Sequence, residues 1–174
     1  YPSHKLDTAF DVTFGDSGPL VVLCVEYDAL PEIGHACGHN IIATASIGAG
    51  LGLQDVANDL GIRVKLLGTP AEEGGGGKII LLNNGAFEDA KCSMMIHPGS
   101  ENVVNPTFTT IQQYTVEFFG KDAHAAGAPQ EGINALDAQI QLFVNASTYR
   151  QQMVQSDRMH GVIREGGFKP NIIP

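Results

Sequence analysis

The chain's 174 residues carry 10 Lys plus Arg against 19 Asp plus Glu, a formal charge of −9, with 43% hydrophobic and 17% charged residues. Such a composition folds into a globule with a real core, and its acidity excludes a phosphate-tracking nucleic-acid binder, which needs a basic stripe. No apolar run reaches the roughly 18–20 residues of a membrane span, so no membrane partner is expected.

Leu20 to Glu26 is a short apolar run behind Gly18-Pro19, as expected of a strand buried on both faces. Asn40 can cap the Ala- and Gly-rich segment that follows, to about Val56, which is apolar nearly all round and reads as a buried helix. Arg63 to Gly68 is a second strand. Gly77 to Asn84 is a helix that Gly85 stops, and Cys92 to Ile96 is a third buried strand. The order β-α-β-α-β predicts an α/β fold, a mostly parallel sheet flanked by helices. After Pro106 the pattern changes. Tyr114 to Phe119 alternates like a half-exposed strand, and Pro129 opens a helix with apolar Ile133, Leu136 and Ile140. Met159 to Arg164 reads as another strand, and a last one begins at Asn171. The spacing predicts two domains, 1–105 and 106–174.

Each of the first three strands is followed by residues that can bind metal. Tyr27-Asp28 and His35-Ala36-Cys37-Gly38-His39 follow the first, Glu72-Glu73 before four glycines the second, and His97-Pro98 the third. In an open parallel sheet all three groups emerge at the carboxyl edge, where ligands bind. Alone, each has a structural reading: a buried thiol beside a helix-capping histidine, a solvated acidic loop, a hydrogen-bonded strand-end histidine. Together, Cys37, His39, Glu73 and His97 mix S, N and O donors. That mixture suits Zn²⁺, with Mn²⁺ or Co²⁺ as alternatives, and argues against Mg²⁺ and Ca²⁺. Glu72, left uncoordinated, is placed to take a proton from water acidified by the metal. The glycines Gly48, Gly50 and Gly52 mimic a dinucleotide fingerprint but sit inside a helix. Gly77-Lys78 mimics a phosphate loop but has Ile79 where Ser or Thr is required.

Three cysteines cannot all pair, and Cys24 lies in an apolar run, so a reducing, cytoplasmic compartment is expected. Two rival readings stand beside the metal one. The first is an inactive dimerisation or binding module. The second is a cysteine hydrolase using Cys37 with His39 or His35 as base.

The stretches Glu26-Tyr27-Asp28-Ala29-Leu30-Pro31, His35 to Asn40, Thr69 to Gly77, Ile96-His97-Pro98, Gly120 to Ala126 and Asn171 to Pro174 together resemble the zinc-dependent amidohydrolase and dipeptidase family. That family includes aminoacylase, carboxypeptidase G, the indole-acetyl-amino-acid hydrolases and aminobenzoyl-glutamate hydrolase. The Cys-Gly-His branch, with its β-alanyl-lysine-type dipeptidases, is the most similar. The resemblance implies a two-metal site held by Cys37, His39, Glu73 and His97, with Glu72 as general base and acid and Asp28 orienting a ligand. It implies that His124, in a β-α-β-β-α-β ferredoxin-like lid, polarises the scissile carbonyl, that Asn171 holds the substrate's carboxylate end, and that the lid forms a homodimer. The substrate would be a small dipeptide or N-acyl amino acid. Asn40 stands where many relatives carry Asp, and Glu26 where distant ones carry a metal-binding His. A further family histidine ligand has no counterpart, so a chain well over twice as long is expected.

Overall fold

The computed structural model describes residues 4–174, which cluster in two compact units that meet in the chain between Val103 and Val104. The first holds a four-stranded sheet: β1 (Phe10–Phe14), β2 (Leu20–Val25), β3 (Arg63–Gly68) and β4 (Ala90–Met94), in the order β1-β3-β2-β4. Strand β2 is central and pairs in parallel with both β3 and β4, while β1 closes the far side of β3 antiparallel. Helix α1 (His39–Gln54) connects β2 to β3, and α2 (Gly77–Asn83) connects β3 to β4. The mostly parallel α/β arrangement expected from the sequence is therefore present.

Strand pleating explains why β2 reads as one unbroken apolar run. Leu20, Val22 and Cys24 point to one face, where they pack with Leu67, Leu81 and Ala86; Leu23 and Val25 point to the other, with Val64 and Leu66. The buried Ser46 hydroxyl donates to the Cys24 carbonyl at 2.8 Å, fixing α1 on β2. One turn further along α1, a methyl on Gly50 would lie 2.6 Å from the Leu66 side chain, so only glycine permits this approach of helix to sheet.

Several expectations are corrected. Strand β1 adds to the elements expected, because its pairing with β3 carries no local signature beyond Phe10, Val12 and Phe14 alternating. Asn40 does not cap α1. The cap is Gly38 at φ 84°, and no side chain serves as one. Helix α1 buries only the stripe His39, Ile42, Ser46 and Gly50, leaving Ile41 and Leu51 exposed, because among the described residues a single sheet covers one of its faces. Strand β4 runs from Ala90 and ends at Met94, and it is largely exposed because it lies at the sheet's edge.

In the second unit, β5 (Ala123–His124) pairs antiparallel with β6 (Ile172–Ile173), beside α3 (Ala135–Tyr149). Pro129 opens only a 3₁₀ turn. Gly132 returns to extended backbone, and α3 starts later, where the Asn134 side chain accepts the Asp137 N–H at 3.2 Å. Neither 114–119 nor 159–164 is a strand. Alternation alone makes no strand, since each needs a ladder partner, and Tyr114 and Phe119 stand exposed.

Candidate metal centre

The site grows from the carboxyl ends of β2, β3 and β4. Past β2, the chain turns through Asp28 into the segment that starts α1, where Gly38 performs two tasks. Its positive φ lets Cys37 and His39 face the same space, and its missing side chain admits the Pro98 ring, whose Cγ would lie 2.5 Å from a Cβ. That close approach delivers His97, so Cys37 Sγ lies 3.6 Å from His97 Nε2. The His39 and His97 rings stand edge to face, centroids 6.3 Å apart. Past β3, Ala71 occupies the left-handed region at φ 62°, a strained conformation for a side chain bearing Cβ. The turn it makes brings Glu72 Oε2 to 3.5 Å from His39 Nε2.

His39 is buried and its hydrogen bonding is one-sided. Nδ1 donates to the Asp28 carbonyl at 2.9 Å, which leaves Nε2 with the lone pair. The Asp28 side chain accepts the Glu73 N–H at 2.9 Å through Oδ2, joining the loops after β2 and β3. Nε2 itself is buried without a hydrogen-bond partner. Potential ligand atoms of Cys37, His39 and His97 lie within 4.8 Å of one another, as do those of His39, Glu72 and Glu73. An imidazole lone pair that finds no donor, surrounded by a thiol, a second imidazole and carboxylates, fits a divalent cation. Partial burial, and then the carboxylates of Glu73, Glu72 and Glu26, push the Cys37 thiol above its usual value.

Two further charged residues pair beside the site. Glu26 is 2% exposed at the end of β2, and Lys78, in the first turn of α2, forms an ion pair with its Oε1. The signal in the sequence is a single charged residue closing an otherwise apolar strand, which cannot be buried without a partner.

His124 and Asn171 belong to the second unit and adjoin there. The Ala125 N–H donates to the Asn171 carbonyl at 3.0 Å, beside the pairing of His124 with Ile172. His124 Nδ1 accepts the N–H groups of Ala126 and Gly127 at 3.2 and 3.0 Å, which leaves its Nε2 as an exposed donor.

No protein-family model matches the chain. It is 46% identical to a mouse Xaa-Arg dipeptidase over 99% of its own length and 43% of the relative's. With the human Xaa-Arg dipeptidase it shares 48% over 87% and 36%. One of the subunits of the Escherichia coli p-aminobenzoyl-glutamate hydrolase is 30% identical over 97% of this chain and 40% of that one. A crystal structure from methicillin-resistant Staphylococcus aureus, described as an aminohydrolase, superposes with a TM-score of 0.58 over 95% of this chain and 49% of the other. At 21% identity that likeness shows the fold alone. The chain thus spans about two fifths of the curated relatives it matches, and identity of this extent over its length makes it a member of the amidohydrolase and dipeptidase family.

Proposed function

We propose that the protein carrying this chain hydrolyses C–N amide bonds in small dipeptides or N-acyl amino acids with the help of bound metal. The observation that carries this reading is His39 Nε2, buried and unpartnered among Cys37, His97, Glu72 and Glu73 at the carboxyl edge of the sheet. Cys37, His39, Glu73 and His97 would hold two divalent ions, Zn²⁺ in the first place and Mn²⁺ or Co²⁺ as substitutes. Bound there, the ions would supply Lewis acidity towards water and the scissile carbonyl. Glu72, whose side chain is 42% exposed, reaches solvent and can receive the water's proton and pass it to the leaving amine. Asp28 keeps His39 in the tautomer that offers Nε2.

The second unit would contribute part of the family's ferredoxin-like lid, the domains dividing as 1–105 and 106–174. His124 would donate from Nε2 to the substrate carbonyl, and Asn171 beside it would hold the carboxylate. The exposed apolar residues of α3, Ile140, Leu142 and Val144, suit a homodimer contact through that lid. Two considerations favour a substrate ending in a basic residue: the two relatives named Xaa-Arg dipeptidases, and the chain's charge of −9. Three free cysteines accord with a reducing, cytoplasmic setting. A Cys37 nucleophile is disfavoured, because it would leave Glu72, Glu73 and His97, gathered at the same edge, without a role.

The test is hydrolysis of Xaa-Arg dipeptides by the complete metal-loaded protein and its Glu72→Gln variant. Loss of kcat by about 10²–10⁴-fold, with metal still bound, is expected. Undiminished turnover would remove Glu72 as the base, and activity that survives chelation would remove the metal mechanism.

A further inference from the structure

We propose that Tyr27 is a positioning residue of this centre: its ring and hydroxyl fix the Asp28 carbonyl, and through it the His39 ring. The proposal rests on the metal-hydrolase reading above. Strand β2 ends at Val25, and Glu26 to Ala29 lie in no strand, so ladder hydrogen bonds do not hold Asp28. Yet the Asp28 carbonyl has to be held in place. It accepts the His39 Nδ1 proton at 2.9 Å and so decides which nitrogen keeps the lone pair. The Asp28 side chain takes the Glu73 N–H as well, so two loops of the site depend on this one residue.

The residue before Asp28 supplies that hold. Tyr27 donates its hydroxyl proton to the Thr8 carbonyl, and its ring stacks on Phe10 with centroids 5.9 Å apart and planes 24° from parallel. Register explains how Phe10 reaches it. Phe10 of β1 and Val25 of β2 flank Gly68 of β3, and a Cβ on Gly68 would run into the Phe10 ring. The bare glycine thus lets Phe10 lie over β3 and meet Tyr27. Both rings also pack on the cluster of Leu23, Val25, Val64 and Leu66, which α1 joins through Ala43, about one turn beyond His39. Stacking alone would leave the Tyr27 ring free to slide on its neighbour. The hydroxyl ties it to backbone, and that backbone is fixed in turn, since the next residue, Ala9, is wholly buried in the cluster on the opposite face. A shell of this kind decides how closely a site keeps its geometry.

The test compares two variants of the complete protein: Tyr27→Phe, which keeps the ring and loses the hydroxyl, and Tyr27→Leu, which loses both. Calorimetry with Zn²⁺ and the visible spectrum of bound Co²⁺ report on the site without turnover. Tyr27→Phe is expected to weaken Zn²⁺ binding about 3–10-fold and Tyr27→Leu about 10–100-fold, each with shifted Co²⁺ bands. In the metal-free protein, nitrogen NMR of isotope-labelled histidine should show neutral His39 protonated at Nδ1 alone, and a mixture of both tautomers in the variants. Ile62→Val trims the same cluster at the far end of the strands, where Arg63 pairs with Leu20. It is expected to lower the melting temperature while leaving affinity, bands and tautomer unchanged. Equal losses in Ile62→Val would mean that a loosened core alone matters and would overturn the assignment. So would unchanged affinity, bands and tautomer in Tyr27→Phe, the variant that decides if Tyr27→Leu does not fold. If the unaltered protein binds neither Zn²⁺ nor Co²⁺, the metal reading falls and takes this role with it. Normal metal binding by all three variants overturns the role of Tyr27 alone.

Discussion

Gly38 and Ala71 show how single backbone positions set the distances at the site. Gly38 combines a positive φ with a 2.5 Å approach to Pro98, so Gly38→Ala should both strain the turn and push His97 away from Cys37. The expected result is metal affinity reduced by at least about tenfold, read by calorimetry, with the sheet's circular dichroism retained. Ala71, left-handed at φ 62°, carries the opposite expectation. Ala71→Gly should raise stability by roughly 0.5–1 kcal/mol, measured by denaturant unfolding, because glycine adopts that conformation without a Cβ clash. Cys24 supplies a pH dependence. Burial raises its thiol above the usual 9.0, with Lys78 opposing and Glu26 adding to the rise. Its folded value lies above its unfolded one, so its contribution is complete below pH 9 and is lost as the pH climbs through the raised value. The melting temperature should therefore fall more steeply above pH 9 in the native protein than in Cys24→Ala.

At the scale of elements, α1 carries a contrast between two glycines on the same helix. Gly48 has open space around its missing side chain, whereas Gly50 meets Leu66 at 2.6 Å. Gly48→Ala should stabilise by about 0.5–1 kcal/mol through helix propensity. Gly50→Ala should destabilise, since overpacking of about 1–3 kcal/mol exceeds that gain. Thermal melting of the two variants should move in opposite directions. Much of this level was legible in the sequence. The unbroken run Leu20 to Val25 announced a central strand, and the three loops bearing Asp28, Glu72 and His97 follow the parallel strands that the β-α-β-α-β order predicted. Long-range pairing was not legible. Phe10 to Phe14 joins the sheet only through β3, with partners from Val64 to Gly68 far along the chain, and Tyr114 to Phe119 alternates without forming a strand. The candidate site was readable as residue types in loops. The burial of Glu26 is explained only by Lys78, 52 residues away, lying beside it.

Across the 174 residues of the chain, a charge of −9 would favour cationic ligands. If the proposed dipeptide hydrolysis holds, the kcat/KM for an Xaa-Arg dipeptide should fall as salt rises from about 10 mM to 0.5 M, while that of an uncharged dipeptide amide stays nearly flat. A stopped assay at matched pH separates the two. The cluster in the first unit also has a topological property. Cys37 and His97 touch across 60 residues of chain, and His39 reaches Glu72 from the loop after a different strand. An ion bound there would tie three loops into closed rings and stabilise the folded state by RT ln(1 + [metal]/Kd). The folded population would then follow the free metal around it. In a cell short of that metal the polypeptide would open more often and meet proteases sooner, so the contacts proposed to hold the ion would also set how long each copy lasts.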